Sequence, residues 1–307
     1  MGRHFKQQPE RQAEEQQPTR RRGSAGYQSH AYVPKDVYSN AGSGKRRRRG
    51  GILSTLFIVV GIALLAAAAS MWGKAQLRYH EADKNNEELA QYVTVFDEKQ
   101  DDEVSEAPEV DWASLKAIND EVCGWLQVPG TTINYPVYQA DNNERYLRNS
   151  ATGEYLVSGQ LFVDYECTWP GMVDLNTLIY GHHLINGTMF EQIAAMDDQA
   201  RFDEINTVWY VTEDHAYECE PLFMYYTQPE DQTVRKFAFT DTEEFRTYLN
   251  DRLGRAVTRR EDAAQIVGGT NHVLGLITCN YYEGFGRTVL LCVPKDEAAA
   301  ALGQTSE

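Results

Sequence analysis

Cys279 ends an apolar run, His272-Val273-Leu274-Gly275-Leu276-Ile277-Thr278, and a polar, glycine-containing loop (NYYEGFG) follows it. Arg287 then opens the next apolar run, RTVLLCV. If the two runs form a hairpin, a cysteine at one strand end faces a guanidinium on the partner strand. A nearby cation lowers a thiol pKa from about 8.5 and so raises the thiolate fraction that attacks carbonyls. The alternative is a buried cysteine acting as a small apolar residue. That alternative suits Cys292, inside an apolar run, and also Cys123, Cys167 and Cys219.

His182 follows another such run, Asn176-Thr177-Leu178-Ile179-Tyr180, and stands directly after Gly181. Glycine lets the backbone turn sharply, so an imidazole can project from a strand end toward a cleft. Histidine is the simplest general acid or base near neutral pH. His183 is a rival base, and the pair could also be an exposed turn or touch a metal. Adjacent strand residues point to opposite faces, however. An acid/base, a nucleophile and a fixed cation together suit acyl transfer: thiolate attack on an amide, a proton for the leaving amine, and donors for the oxyanion.

These residues need a scaffold. The 307-residue chain is 42% hydrophobic and 24% charged, which suits a globular core. Its net charge of −16 hides an asymmetry: residues 1–50 carry 12 Lys/Arg against 4 Asp/Glu, and the rest 17 against 41. So acidic a main domain argues against nucleic-acid binding, which needs clustered Lys/Arg. Positions 52–72 (ILSTLFIVVGIALLAAAASMW) hold no Asp, Glu, Lys or Arg, and about 20 apolar residues cross a ~30 Å hydrocarbon core. The run Lys45-Arg46-Arg47-Arg48-Arg49 precedes them, so the positive-inside rule puts the N-terminus in the cytoplasm and 73–307 outside the cell. A cleaved signal peptide is the alternative, with Ala67-Ala68-Ala69 before Ser70 as its cleavage site, but leader and apolar core are both long for one.

Five cysteines lie beyond the span with no C-x-x-C pair, which argues against a structural zinc site. In an extracellular domain the odd count leaves at least one thiol free unless it pairs between chains. The expected organisation is a disordered basic tail (1–50), a transmembrane helix (52–72), a charged helical stalk (73–108), a catalytic domain (109–296) and a C-terminal tail (297–307). Asp111 can cap a short helix, WASLKAIND. Eight strand-type runs then follow: GWLQV, TINYPVYQ, GQLFVDYE, NTLIYGH, INTVWYVT, YECEPLFMYY, HVLGLITC and RTVLLCV. Short strands with Gly/Pro/Asn/Asp punctuation predict an all-β barrel or sandwich. One helix interrupts them, capped by Asp241 with Glu244 at the capping-box position; Phe245, Tyr248, Leu249 and Leu253 share a face and Gly254 stops it. Asn186-Gly187-Thr188 matches a glycosylation sequon and is read as a turn.

NTLIYGHHLINGTMF, LITC and the following arginine strongly resemble the signature of sortases, cysteine transpeptidases of Gram-positive surfaces. LKAINDEVCGWLQVPGTTINYPVYQADNNERYL and the helix at 241–253 resemble class B. The similarity covers roughly 110–295. It implies a mainly β fold, a sortase-type eight-stranded β-barrel with N-terminal helices and a long helix before the cysteine strand. It also implies that Cys279 is the nucleophile attacking after Thr of an NPxT-type C-terminal sorting signal. His182, as imidazolium, would protonate the leaving amine, and Arg287 would hold the peptide and stabilise the oxyanion. Asn143 and Leu147 match a D-N-x-x-x-L-like segment lining the peptide groove, and Asn280 follows the nucleophile. Implied partners are secreted proteins with sorting signals and an amine of a peptidoglycan precursor or a pilin lysine, at the membrane. No metal or other cofactor is implied. Two other readings remain: a thiol peptidase releasing product to water, and a non-catalytic surface module that keeps the groove.

Overall fold

The computed structural model describes residues 51–96, 106–279 and 286–304. The basic tail of 1–50, Asn280 with the loop after it, and positions 305–307 lie outside the described residues. The chain divides into two units, 1–59 and 60–307.

The eight apolar runs become the eight strands of a closed barrel. They are β1 (Val122–Gln127), β2 (Asn134–Tyr138), β3 (Leu161–Val163), β4 (Asn176–Tyr180), β5 (Val208–Val211), β6 (Ala216–Thr227), β7 (Val273–Cys279) and β8 (Arg287–Pro294). Neighbours run β8-β7-β4-β3-β2-β1-β5-β6, and β6 pairs back onto β8 to close the ring. Closure leaves no open sheet edge in that ring. The pairs β2–β3 and β4–β7 are parallel and the others antiparallel, so the barrel is mixed. β6 can close it because it is 12 residues long: Ala216–Cys219 pair with β5, and Cys219–Thr227 pair with β8. A further short strand, Ala256–Arg259, pairs with β6 outside the ring.

Strand periodicity of two sorts side chains between the interior and an outer layer. On β7, Leu274 and Leu276 join Ile179, Met224 and Leu290 inside the barrel. Val273 and Ile277 join the outer cluster under the helix Thr242–Leu253. That helix forms as the sequence predicts: Asp241 accepts from the Glu244 amide at 2.8 Å, Phe245, Tyr248, Leu249 and Leu253 are buried, and Gly254 caps the end. The Glu244 carboxylate does not close a capping box on Asp241. It accepts from the Thr240 amide and hydroxyl at 2.7 and 2.9 Å and pairs with Lys236. Trp112–Ile118 is likewise a helix, with Asp111 accepting from the Ser114 amide at 3.1 Å.

A 40-residue helix, Gly51–Ala90, stands at the N-terminal side. It is long and apolar enough to cross a membrane, with Ile52, Phe57, Ile62 and Leu65 exposed. Farther along, Ala82, Asn86 and Leu89 are buried, and their spacing puts them on one helix face. Polar contacts tie that part of the helix to the barrel loops: Gln160 Nε2 donates to Asn85 Oδ1 at 2.9 Å and Asn186 Nδ2 to Asp83 Oδ1 at 3.1 Å. At the other end of the chain, β8 runs into the helix Lys295–Ala301.

Candidate active site

β4 and β7 are parallel, so both end at the same rim of the barrel. Their register pairs Asn176 with Val273 and Tyr180 with Ile277, and the Gly181 amide extends it by donating to the Ile277 carbonyl at 3.0 Å. The same register continued beyond Gly181 brings the backbone of His182 level with that of Cys279. On the other side of β7, the last rung of the antiparallel hairpin pairs Cys279 with Arg287, which also pairs with Thr227 of β6. The strand ladder therefore brings the His182, Cys279 and Arg287 backbones to one rim, across 105 residues of sequence.

Two glycines allow the close packing around His182. A Cβ on Gly181 would stand 2.6 Å from Leu161 Cδ2 and 2.7 Å from Phe190 Cδ2. Gly159 has φ of 56°, and a Cβ there would sit 2.2 Å from the Tyr146 carbonyl oxygen and 2.7 Å from that of Leu147. The loop carrying Leu147 can thus lie against the barrel and present its carbonyl to His182, whose Nε2 donates to it at 2.6 Å. Burial, and then the positive charges of Arg148 and Arg287, hold the His182 imidazole below its usual range; the Leu147 carbonyl acts in the opposite sense. The ring at rest near neutral pH is mainly the free base.

Two cavities open at this rim. One, of about 260 Å³, is lined by Leu147, Arg148, Gln160, Tyr180, His182 and Arg287 among others. The second, of about 250 Å³, takes in Asn143, Thr227, Gln232 and Arg235. Leu147, Phe162, Tyr180, Ile277 and Arg287 line both, so the two are continuous along an apolar floor. Phe162 and Tyr180 stack there with ring centroids 5.2 Å apart. Small-ligand and peptide sites commonly combine such an apolar floor with a few fixed polar groups.

The structure brings four of the sequence-predicted residues to this groove: His182, Arg287, Asn143 and Leu147. For Cys279 it gives the backbone position, and Asn280 lies outside the described residues. Asn143 faces both ways: its Oδ1 accepts from the Tyr165 amide and its Nδ2 donates to Asp164, each at 3.0 Å. Tyr180 and Arg235 were missed by motif reasoning. Tyr180 had a signal, since period two puts it on the face of His182; Arg235 sits in a crossover with no pattern of its own.

Cys123, Cys167, Cys219 and Cys292 are buried free thiols. Burial pushes Cys123 and Cys167 up to about 12 and raises Cys219 and Cys292 as well, so all four stay protonated and unreactive at neutral pH. Among the described residues, no group of three or more His, Cys, Asp or Glu is arranged to hold a metal ion.

A family model for the Sortase domain matches residues 126–295, more than half of the chain and nearly all of the barrel. The chain belongs to the sortase family. Sortase B of Staphylococcus aureus is 24% identical over 241 residues, covering 76% of this chain and 95% of that protein. Sortase B of Listeria monocytogenes is 29% identical over 178 residues, covering 57% and 70%. Among solved structures, Clostridium perfringens sortase B superposes with a TM-score of 0.54 at 29% identity, over 59% of this chain and 97% of that one. A Bacillus anthracis protein described as similar to sortase B reaches a TM-score of 0.57 at 27% identity, over 70% and 96%. This sortase is of the B class, a cysteine transpeptidase built on the mixed eight-stranded barrel.

Proposed function

We propose that this sortase is held in the membrane by positions 52–72 and that its barrel lies outside the cell. There it cleaves a C-terminal sorting signal of the NPxT type after Thr and passes the protein to an amino group. Cys279 is the nucleophile. His182, neutral at rest, accepts the thiol proton as Cys279 attacks, and the imidazolium so formed protonates the departing amine. The thioester is then resolved by an amine of a peptidoglycan precursor or a pilin lysine, with His182 taking that amine's proton. Arg287 stabilises the oxyanion and holds the peptide in the groove beside Asn143 and Leu147.

The observation that carries this reading is the shared rim: β4 and the β7–β8 hairpin end together at the mouth of one apolar-floored groove. An acid/base and a cation held at one strand end supply the proton transfer and charge stabilisation that amide cleavage needs. The lowered pKa of His182 supports the base role, because a neutral imidazole is needed to take the thiol proton.

The full chain in detergent, incubated with quenched peptides of NPxT and LPxTG type with and without an amine, tests this. Mass spectrometry should find an acyl adduct on the peptide containing Cys279, absent in Cys279→Ala, and amine-dependent ligation product with an NPxT peptide. Free acid alone, whatever the amine, would favour the hydrolytic reading. Turnover of LPxTG but not NPxT peptides would overturn the motif. Protease treatment of intact cells should remove the barrel and spare the 1–50 tail if the proposed orientation is right.

A further inference from the structure

Asp164 follows β3 directly, and its carboxylate has no solvent-exposed surface. Leaving such a charge unpaired would be strongly unfavourable, so its partners are informative. Arg235 grips it with both arms of the guanidinium, Nε to Oδ2 at 2.7 Å and Nη2 to Oδ1 at 2.9 Å. The Tyr180 hydroxyl donates to Oδ2 at 2.8 Å, Asn143 Nδ2 to Oδ2 at 3.0 Å, and the Glu166 amide to Oδ1 at 3.0 Å. Three of these donors, Asn143, Tyr180 and Arg235, line the second cavity of the groove, whereas Asp164 does not reach its surface. They come from separate segments: the loop after β2, the end of β4, and the crossover between β6 and the helix Thr242–Leu253.

The crossover has other anchors on its inner side. Asn176 Nδ2 donates to the carbonyls of Val234 and Lys236, at 3.3 and 3.0 Å, and Tyr248 donates to Val234 at 3.0 Å. Those contacts fix it to the barrel and to the helix behind it. Arg235 is the side chain that ties it forward to Asp164 and, through Asp164, to Asn143 in the loop after β2. Its Nη2 also reaches Glu166 at 2.9 Å, and the guanidinium lies over the Tyr165 ring at 5.4 Å. A two-pronged pair of this kind constrains direction as well as distance.

We propose that Asp164 is a positioning residue for transpeptidation: through Arg235 and Asn143 it ties the two walls of the groove together, and so sets the width at which the sorting peptide is held. This rests on the reading of the groove as the peptide site. Asp164 itself does not line the groove. It acts by keeping three groove-lining side chains in one arrangement, so its loss should weaken peptide capture more than the chemical step.

The test compares the wild-type full chain with Asp164→Asn and Arg235→Lys. Asn is isosteric but brings an N–H where an acceptor was, and Lys keeps the charge but cannot make the two-pronged contact. For both variants the expected result is a KM for the cleaved peptide raised about tenfold with kcat within about threefold. Alkylation of Cys279 by iodoacetamide should proceed at the wild-type rate. Amide hydrogen exchange should speed up in residues 141–147 and 228–236 together, and not across the barrel strands. Unchanged exchange in those two walls would overturn the proposal, as would faster exchange with an unchanged KM. So would a fall in kcat at constant KM, or Asp164→Asn unfolding while Arg235→Lys behaves as wild type, which would make the pair merely structural. Wild-type protein that turns over no peptide would instead sink the groove reading, and the positioning role with it; active wild type with indifferent variants would sink the positioning role alone.

Discussion

A histidine stands at each end of the β7–β8 hairpin, His182 just past the neighbouring strand β4 and His272 just before β7, and they are tuned in opposite directions. At the rim, His182 is half-buried beside Arg148 and Arg287, and it donates to the neutral Leu147 carbonyl. At the other end, His272 precedes β7 and its Nδ1 lies 2.5 Å from Glu297 Oε1, in the helix after β8. The hydrogen bond that His272 Nδ1 donates to the Glu297 carboxylate raises His272 above its usual range, against the effect of burial. Burial alone would raise Glu297, but His272, the Thr270 hydroxyl and the amides of Asn271 and His272 hold it at about 2. The far end is thus a closed set of mutually satisfied groups that fastens the C-terminal helix. The rim keeps its polar groups turned to a cavity. A carboxylate partner makes a structural clamp of His272, whereas burial and the charges of Arg148 and Arg287 hold the His182 imidazole below its usual range.

The sharpest break of this comparison is His182→Ala beside His272→Ala. The first should lower kcat/KM about 10³-fold, or ~4 kcal/mol, for any cleaved peptide, and the second should leave it within about twofold. Comparable losses in both would remove the distinction between the ends.

Gly181→Ala comes next. Its Cβ would overlap Leu161 and Phe190, whose displacement costs about 1–3 kcal/mol in stability. Because His182 is the next residue, kcat/KM should fall roughly tenfold or more even where the barrel remains folded. Full activity in a destabilised Gly181→Ala would show that the rim tolerates more play than this packing implies.

Glu297→Ala strikes the far end. It leaves the amides of Asn271 and His272 without their acceptor and takes one of two acceptors from the Thr270 hydroxyl. A melting temperature lower by about 5 °C with kcat/KM unchanged is expected.

The smallest effects are those of pH, and their signs differ. His272 is raised, so its contribution to stability is complete below the unfolded value of about 6.5 and is lost as pH rises through the folded value. Glu297 is lowered, so its contribution is complete above the unfolded value near 4.5 and is lost as pH falls through about 2. The clamp is therefore tightest between about pH 4.5 and 6.5. His182 is lowered, which means that the unfolded chain takes up its proton first and acid below about pH 6.5 costs stability. Melting curves from pH 5 to 8 should show the acid-side loss reduced in His182→Gln and the basic-side loss reduced in His272→Gln. In the wild type, the acid limb of kcat/KM should fall below pH 6.5; a midpoint above that value would contradict the free-base resting state.

Much of this architecture was legible along the chain. The eight apolar runs became the eight barrel strands, and the caps at Asp111 and Asp241 formed where local spacing put them. Those features depend on periodicity and on side chains reaching their own backbone neighbours, which a linear reading can see. Glu244 shows where such reading stops. At the capping-box position it turns to Thr240 and Lys236 instead, because a folded neighbour offers a better donor than its own cap. The polar contacts of the helix Gly51–Ala90 with the loops at Gln160 and Asn186 likewise lay beyond a linear reading, since they join residues 75 and 103 apart in sequence.

The sequence by itself determined the eight barrel strands, the helices capped by Asp111 and Asp241, an apolar span long enough for a bilayer, the residue types for thiol-based acyl transfer, and the family. Tertiary structure decided which strand ends share a rim, because only parallel pairing of β4 with β7 brings His182 level with Cys279. It also decided which imidazole is shifted down and which is clamped and shifted up, since burial and partner charge, not residue type, set the direction of a pKa shift. Finally, it decided that Asp164, one acidic residue among many, is buried against Arg235 at a separation of 71 residues. A carboxylate carries no mark of burial in sequence; it acquires a role only when folding removes water and brings its donors together.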